Sequence, residues 1–146
     1  MPFLTRALCA GALALALALA SSPGAALAEQ KPIVVTPVMT TSQTSSGQPI
    51  TLPQKDAQVS VSTYDIQPGA VLPWHEHPYP RYAYVLAGTL SVTNSVTGQT
   101  TIFKTGDFIL EAIGQRHRGA SVGPDPVKLL VIDQTEKNTP NVVLDD

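Results

Sequence analysis

Residues 58–88 read QVSVSTYDIQPGAVLPWHEHPYPRYAYVLAG. Val59 and Val61 alternate with Ser60 and Ser62, and Tyr64 and Ile66 follow. Alternation at period two marks a strand with one buried face. Pro68-Gly69 is a turn, and Val71 to His77 is a second extended run in which Pro73 and Pro78 argue against a helix. Arg81 to Leu86 is a third run, closed by Gly88.

The pattern continues toward the C-terminus. Thr89 to Thr93 and Thr100 to Lys104 flank a hairpin loop around Gly98, and Thr105-Gly106-Asp107 is another turn. Phe108 to Ala112, Gln115 to Val122 and Val127 to Asp133 follow, separated by Gly114 and by Gly123-Pro124-Asp125-Pro126. Roughly seven or eight short strands with a turn every 8–12 residues imply an all-β sandwich or small barrel. The barrel is expected over residues 58–135, with 136–146 as a C-terminal tail. Residues 29–57 read as an extended N-terminal arm: Ile33-Val34-Val35 is a candidate short strand, and the low-complexity run Thr40 to Gln48 is a loop.

The first residues read as an address. Met1 to Arg6 carries one positive charge, Ala7 to Ala20 is small or apolar, Ser21-Ser22-Pro23-Gly24 breaks the run, and Ala26-Leu27-Ala28 presents small residues. This is the order of a secretory signal peptide, with cleavage expected after Ala28. The apolar run falls short of the roughly 20 residues a spanning helix needs. A periplasmic or secreted protein, off the membrane after cleavage, is therefore expected. Its only cysteine, Cys9, lies in the leader, so the mature chain has no disulfide or thiolate metal site.

The 146 residues suffice for one domain. Nine basic residues against eleven acidic ones give a charge of −2 with no basic run, which excludes a nucleic-acid footprint. Charged residues are only 14%, whereas Pro (13) and Gly (10) are frequent, a bias away from helical bundles.

His75 and His77 stand two apart on a predicted strand, so their rings share a face. His117, from a distant strand, can complete a facial set of three. Neutral imidazole is the commonest protein metal ligand, and three ligands with open positions is the layout of a catalytic metal. An isolated His-x-His is more often ordinary packing, and the frame around it changes the odds. Gly69-x5-His75-x-His77-x3-Arg81-x6-Gly88 resembles the first cupin motif, and Gly106-x5-Ala112-x-Gly114-x2-His117-x3-Ser121 resembles the second. The resemblance covers about residues 59–133 and implies a small barrel, or jelly roll, holding one divalent metal through His75, His77 and His117. The glutamate of the first motif is replaced by Arg81, and the proline and asparagine of the second by Ala112 and Ser121.

Arginine is donor-only and cannot ligate a metal. A guanidinium about 5 Å from a divalent ion is repelled by roughly 7 kcal/mol at an effective dielectric of about 20. Three arrangements stay open: Arg81 swings away, it pairs with an anion, or the site holds no metal. Glu111 is one candidate anion. It and His117 are symmetric about Gly114, so even-register pairing across that turn would put them on one face, with Glu111 as fourth ligand or as partner of Arg81. A substrate carboxylate is the other. Glu76, Arg116, Arg118 and Trp74 fall on the outer parity, as do Tyr82 and Tyr84 if Arg81 points inward.

The resemblance implies a metal-dependent enzyme acting on a small anionic or oxygenated molecule, of dioxygenase type or an isomerase or lyase, with Arg81 orienting the substrate. The alternative is a non-catalytic ligand-binding or sensing module. Fe, Mn, Ni, Cu or Zn all suit imidazole ligands. A homodimer, sharing the N-terminal arm, is the partner the resemblance suggests.

Overall fold

The computed structural model describes residues 33–145, so the leader expected over 1–28 and the start of the arm lie outside the described residues. Within them the chain is all-β. Its strands are β1 (Ala57–Ile66), β2 (His75–Glu76), β3 (Arg81–Ala87), β4 (Thr89–Asn94), β5 (Thr100–Lys104), β6 (Phe108–Leu110), β7 (His117–Ser121), β8 (Val127–Glu136) and β9 (Val143–Leu144). They form two antiparallel sheets, in the orders β1-β8-β3-β6 and β5-β4-β7-β2-β9.

The period-two reading holds along β3. Arg81, Ala83 and Val85 are buried, while Tyr82 and Tyr84 are half-buried on the outer face. Between the sheets Ile66, Ala83, Val85, Leu90, Ile109, Val127, Leu129 and Val131 form one apolar core. Removing such surface from water is the main force holding two sheets together. Gly88 turns the chain from one sheet into the other at φ 79°, and a Cβ there would stand 2.5 Å from the Pro126 carbonyl oxygen. Only glycine meets both demands.

Four expectations change. The strand over Gln58–Ile66 forms, but Val59 and Val61 are each 61% exposed, and the buried Ile66 lies on the other parity. The run Val71–His77 is regular strand only at His75–Glu76, because Pro73 has no N–H to donate to the ladder. Before it, Leu72 N–H donates to the Gly119 carbonyl and Ser121 N–H to that of Ala70. Ile33–Val35 forms no strand and is exposed, having no strand partner among the described residues. Residues 136–146, read as a tail, contain the end of β8 and all of β9, which pairs with β2 at His75↔Leu144 and Glu76↔Val143.

Candidate metal centre

β2 and β7 are direct neighbours, and their register places His75 opposite His117. His77 lies just past β2, bridged to Ile113. The three ring centroids stand 4.7–4.9 Å apart, and His75, His77 and His117 are only 8%, 0% and 2% exposed. The shared face inferred from the spacing of the first two histidines is observed.

Glu111 joins them. Its Oε2 stands 3.0 Å from His77 Nε2 and 2.7 Å from His117 Nε2. The route differs from the expected one. β6 pairs with β3 in one sheet, and β7 pairs with β4 and β2 in the other, so Glu111 and His117 do not face each other across a hairpin. The Gly114 turn crosses between sheets, and Glu111 is brought in from the opposite wall. Its N–H donates to the Arg81 carbonyl at 2.9 Å, which fixes it beyond the end of β6.

The other ring nitrogens define the tautomers. His75 Nδ1 lies 2.8 Å from the Pro73 carbonyl, His117 Nδ1 2.8 Å from that of Gln115, and His77 Nδ1 against that of Asn141. A carbonyl oxygen only accepts, so each Nδ1 carries the proton and each neutral ring offers the Nε2 lone pair. Backbone carbonyls holding imidazoles in this way are the usual outer support of a metal site.

Each of the four residues thus offers a donor atom, and those atoms lie within 4.8 Å of one another. Three lone pairs and a carboxylate facing one point are satisfied only by protons or by a cation. Without a metal, the electrostatics follow from this. Burial works to raise the Glu111 pKa, but hydrogen bonds from His117 and His77 outweigh it and hold the carboxyl well below its ordinary range. Burial works to lower that of His117, but the Glu111 contact outweighs it and leaves the pKa raised. His75 is lowered, chiefly by burial and further by the two neighbouring rings. The cluster could hold a metal ion, and its chemistry fits one: three imidazoles and a carboxylate suit a first-row divalent ion.

Arg81 finds an anion that the sequence reading did not consider. Its cross-strand partner on β8 is Asp133, and Nε and Nη2 donate to the two carboxylate oxygens, each at 2.8 Å. The fork matches the carboxylate in the bidentate manner. The pair is buried, with side chains 6% and 15% exposed. The guanidinium charge that would repel a metal is therefore largely compensated. Nη1 has no hydrogen-bond partner among the described residues.

Asn141, which no motif marked, is 7% exposed and ties these parts together. Its carbonyl accepts from His77, its Nδ2 donates to Asp133 Oδ1 at 2.6 Å, and its Oδ1 accepts from Tyr79 N–H at 2.9 Å. Gln48, in the loop of the arm, was also missed. Its side chain donates to the Ile113 carbonyl at 2.7 Å and accepts from the Ile113 N–H at 3.0 Å. Ser45 N–H donates to the Leu110 carbonyl, so the loop is packed over the free edge of β6 beside Glu111. A polar residue inside a low-complexity run carries no local signal of such a role. The outer-parity residues behave as expected: Arg116 pairs with Asp145, and the Arg118 guanidinium sits 4.7 Å from the Trp74 ring centroid.

The family description "Cupin domain" matches residues 62–133, the span that carries the buried strands and all four site residues. The chain belongs to the cupin superfamily. Solved structures share the fold. An oxalate decarboxylase from Lactobacillus farciminis superposes with a TM-score of 0.51 at 24% identity, covering 59% of this chain and 26% of the other. The polyketide cyclase RemF from Streptomyces resistomycificus gives 0.51 at 22%, covering 64% and 66%, and a Bacillus halodurans protein gives 0.51 at 21%, covering 61% and 70%. This cupin thus spans about a quarter of the decarboxylase, and the likeness is one of fold. A search of curated proteins gives no match.

Proposed function

We propose that this chain is an exported cupin that holds one divalent metal ion, Fe, Mn, Ni, Cu or Zn, through His75, His77, His117 and Glu111, and acts on a small oxygenated or anionic molecule. The observation that carries the reading is the convergence of four electron-pair donors, three of them imidazoles whose other ring nitrogens are all committed to backbone carbonyls. A bound metal would supply Lewis acidity and a template for the substrate. Around it the chain's own groups orient and exclude. Arg81, steadied by Asp133, presents Nη1 to the substrate, and the apolar barrel wall keeps water out. Oxidation of dioxygenase type is the favoured chemistry, with isomerisation or elimination as the other options. The leader-like residues 1–28 support a periplasmic or secreted location, and a homodimer is the proposed assembly.

A non-catalytic binding or sensing role is the second reading, favoured by one observation: the space enclosed against the site is only about 30 Å³. Metal analysis of the purified mature chain tests the first reading. One ion per chain is expected, lost in His75→Ala, His77→Ala and His117→Ala. Wild-type protein without stoichiometric metal after reconstitution would end it. Metal-loaded protein that is stabilised by a ligand it never consumes would favour the second.

A further inference from the structure

Two of the spaces beside the site residues meet at a collar. The inner part, about 30 Å³, is bounded by His75, His117, Glu111 and Arg81 and closed by core residues such as Leu90 and Val131. The outer part, about 150 Å³, opens to solvent between Tyr64, Leu72, Pro73, Val142 and Leu144. Tyr64, Leu72, His75 and Arg81 line both and form the collar. The inner part has room for one or two water-sized groups. The outer part has room for roughly five, at about 30 Å³ each.

Its walls are almost wholly apolar. Arg81 is the only charged side chain there, and its guanidinium lies 5.8 Å from the Tyr64 ring centroid. Nη1 makes no hydrogen bond, yet Ser121 Oγ is the only sealed and unpartnered side-chain atom among the described residues. Nη1 is therefore not sealed, and Arg81 lines this space. The charges decide what it receives. Arg81 and Asp133 cancel, Glu111 contributes one negative charge, and the three histidines are neutral. With a divalent ion the site keeps a single positive charge. A monoanion neutralises it, whereas a dianion leaves a net negative charge in surroundings of low polarity, which is costly.

We propose that the site takes a small monocarboxylate with an aliphatic or small aromatic tail, its carboxylate at the collar between His75 and Arg81 and its tail in the mouth against Leu72, Pro73, Val142 and Leu144. This rests on the metal reading above and specifies its substrate class. Dicarboxylates and sugars are disfavoured, because the mouth has no second cation and few hydrogen-bonding groups to meet them. Leu144 lies in β9 and Val142 just before it, so the C-terminal segment acts as a specificity element.

The test is a binding series on the metal-loaded mature chain, with metal content measured on the same samples. Acetate, butanoate, hexanoate and decanoate are titrated calorimetrically, alongside succinate, adipate and hexanol. Affinity should rise to a chain of about four to six carbons and then fall, as the mouth's five-water volume implies. Adipate and hexanol should bind at least ten-fold more weakly than hexanoate. Val142→Asp, at the half-exposed rim, should weaken hexanoate at least ten-fold while leaving acetate within two-fold. Arg81→Gln should weaken both acids. Metal-loaded protein that binds adipate as well as hexanoate, or binds all chain lengths alike, overturns this inference and leaves the metal reading standing. Protein that takes up no metal overturns both.

Discussion

The backbone carbonyl of Asn141 accepts the Nδ1 proton of His77, 64 positions earlier in the chain. The same residue's side chain holds Asp133, which holds Arg81. One asparagine therefore orients a metal-facing imidazole and braces the cation beside it.

Asn141→Ala keeps the carbonyl but frees it to move. Loss of such outer support typically costs 10–100-fold in metal affinity. A fall of about that size is expected, measured by competition with a chelator, together with a changed Co(II) absorption spectrum. An unchanged affinity and spectrum would show that the strand pairing of β9 alone places His77.

Protons and metal compete for the same lone pairs, so metal affinity should fall as pH drops below about 6.5. In the metal-free protein the signs separate. The raised His117 pKa adds stability that is complete below its unfolded value and is lost as pH rises through the folded one. The lowered Glu111 pKa adds stability that is present above the ordinary carboxylate range and is lost as pH falls through its folded value. His75, lowered, opposes folding once pH drops below its unfolded value. Urea unfolding with and without metal across pH 2–9 checks these signs: Glu111→Gln should remove the advantage that His117 supplies at low pH.

Breaking the Arg81–Asp133 pair from one side leaves a buried charge alone. Asp133→Ala should cost about 3–5 kcal/mol, and Arg81→Met combined with Asp133→Leu much less. A double-mutant cycle by chemical denaturation measures the difference. Additive costs would mean that the two charges do not depend on each other.

Gly88→Ala should lower the melting temperature by several degrees, because it adds both left-handed strain and a contact of 2.5 Å with backbone that cannot yield. Gly98→Ala, also at positive φ but with nothing within 4 Å, isolates the strain component and should cost less. Equal costs would mean that the Pro126 carbonyl moves aside.

Most strands were legible because their cause is local. Alternation in Arg81–Leu86 reports which face meets the core. In Gln58–Ile66 it marks the strand but not its face, since Val59 and Val61 are exposed and Ile66 is buried. The shared face of His75 and His77 follows from the same period. Glu111 was legible only as a possibility, and for a reason the fold does not use, since the strand it follows and that of His117 belong to different sheets. The partner of Arg81 was not legible, because Asp133 lies 52 positions away and is chosen by the register of β3 on β8.

The sequence by itself thus determined the strands, the turns between them and which histidines point inward, since these depend on a few neighbouring residues. Which groups meet them was decided only by the packing of the two sheets and the return of the C-terminal strand. Asp133, Asn141 and Gln48 reach the site from segments distant in the chain, and Glu111, only six positions from His117, reaches it from the other sheet's side. No local pattern encodes such meetings, because they arise when buried apolar faces close on each other and carry their polar neighbours with them.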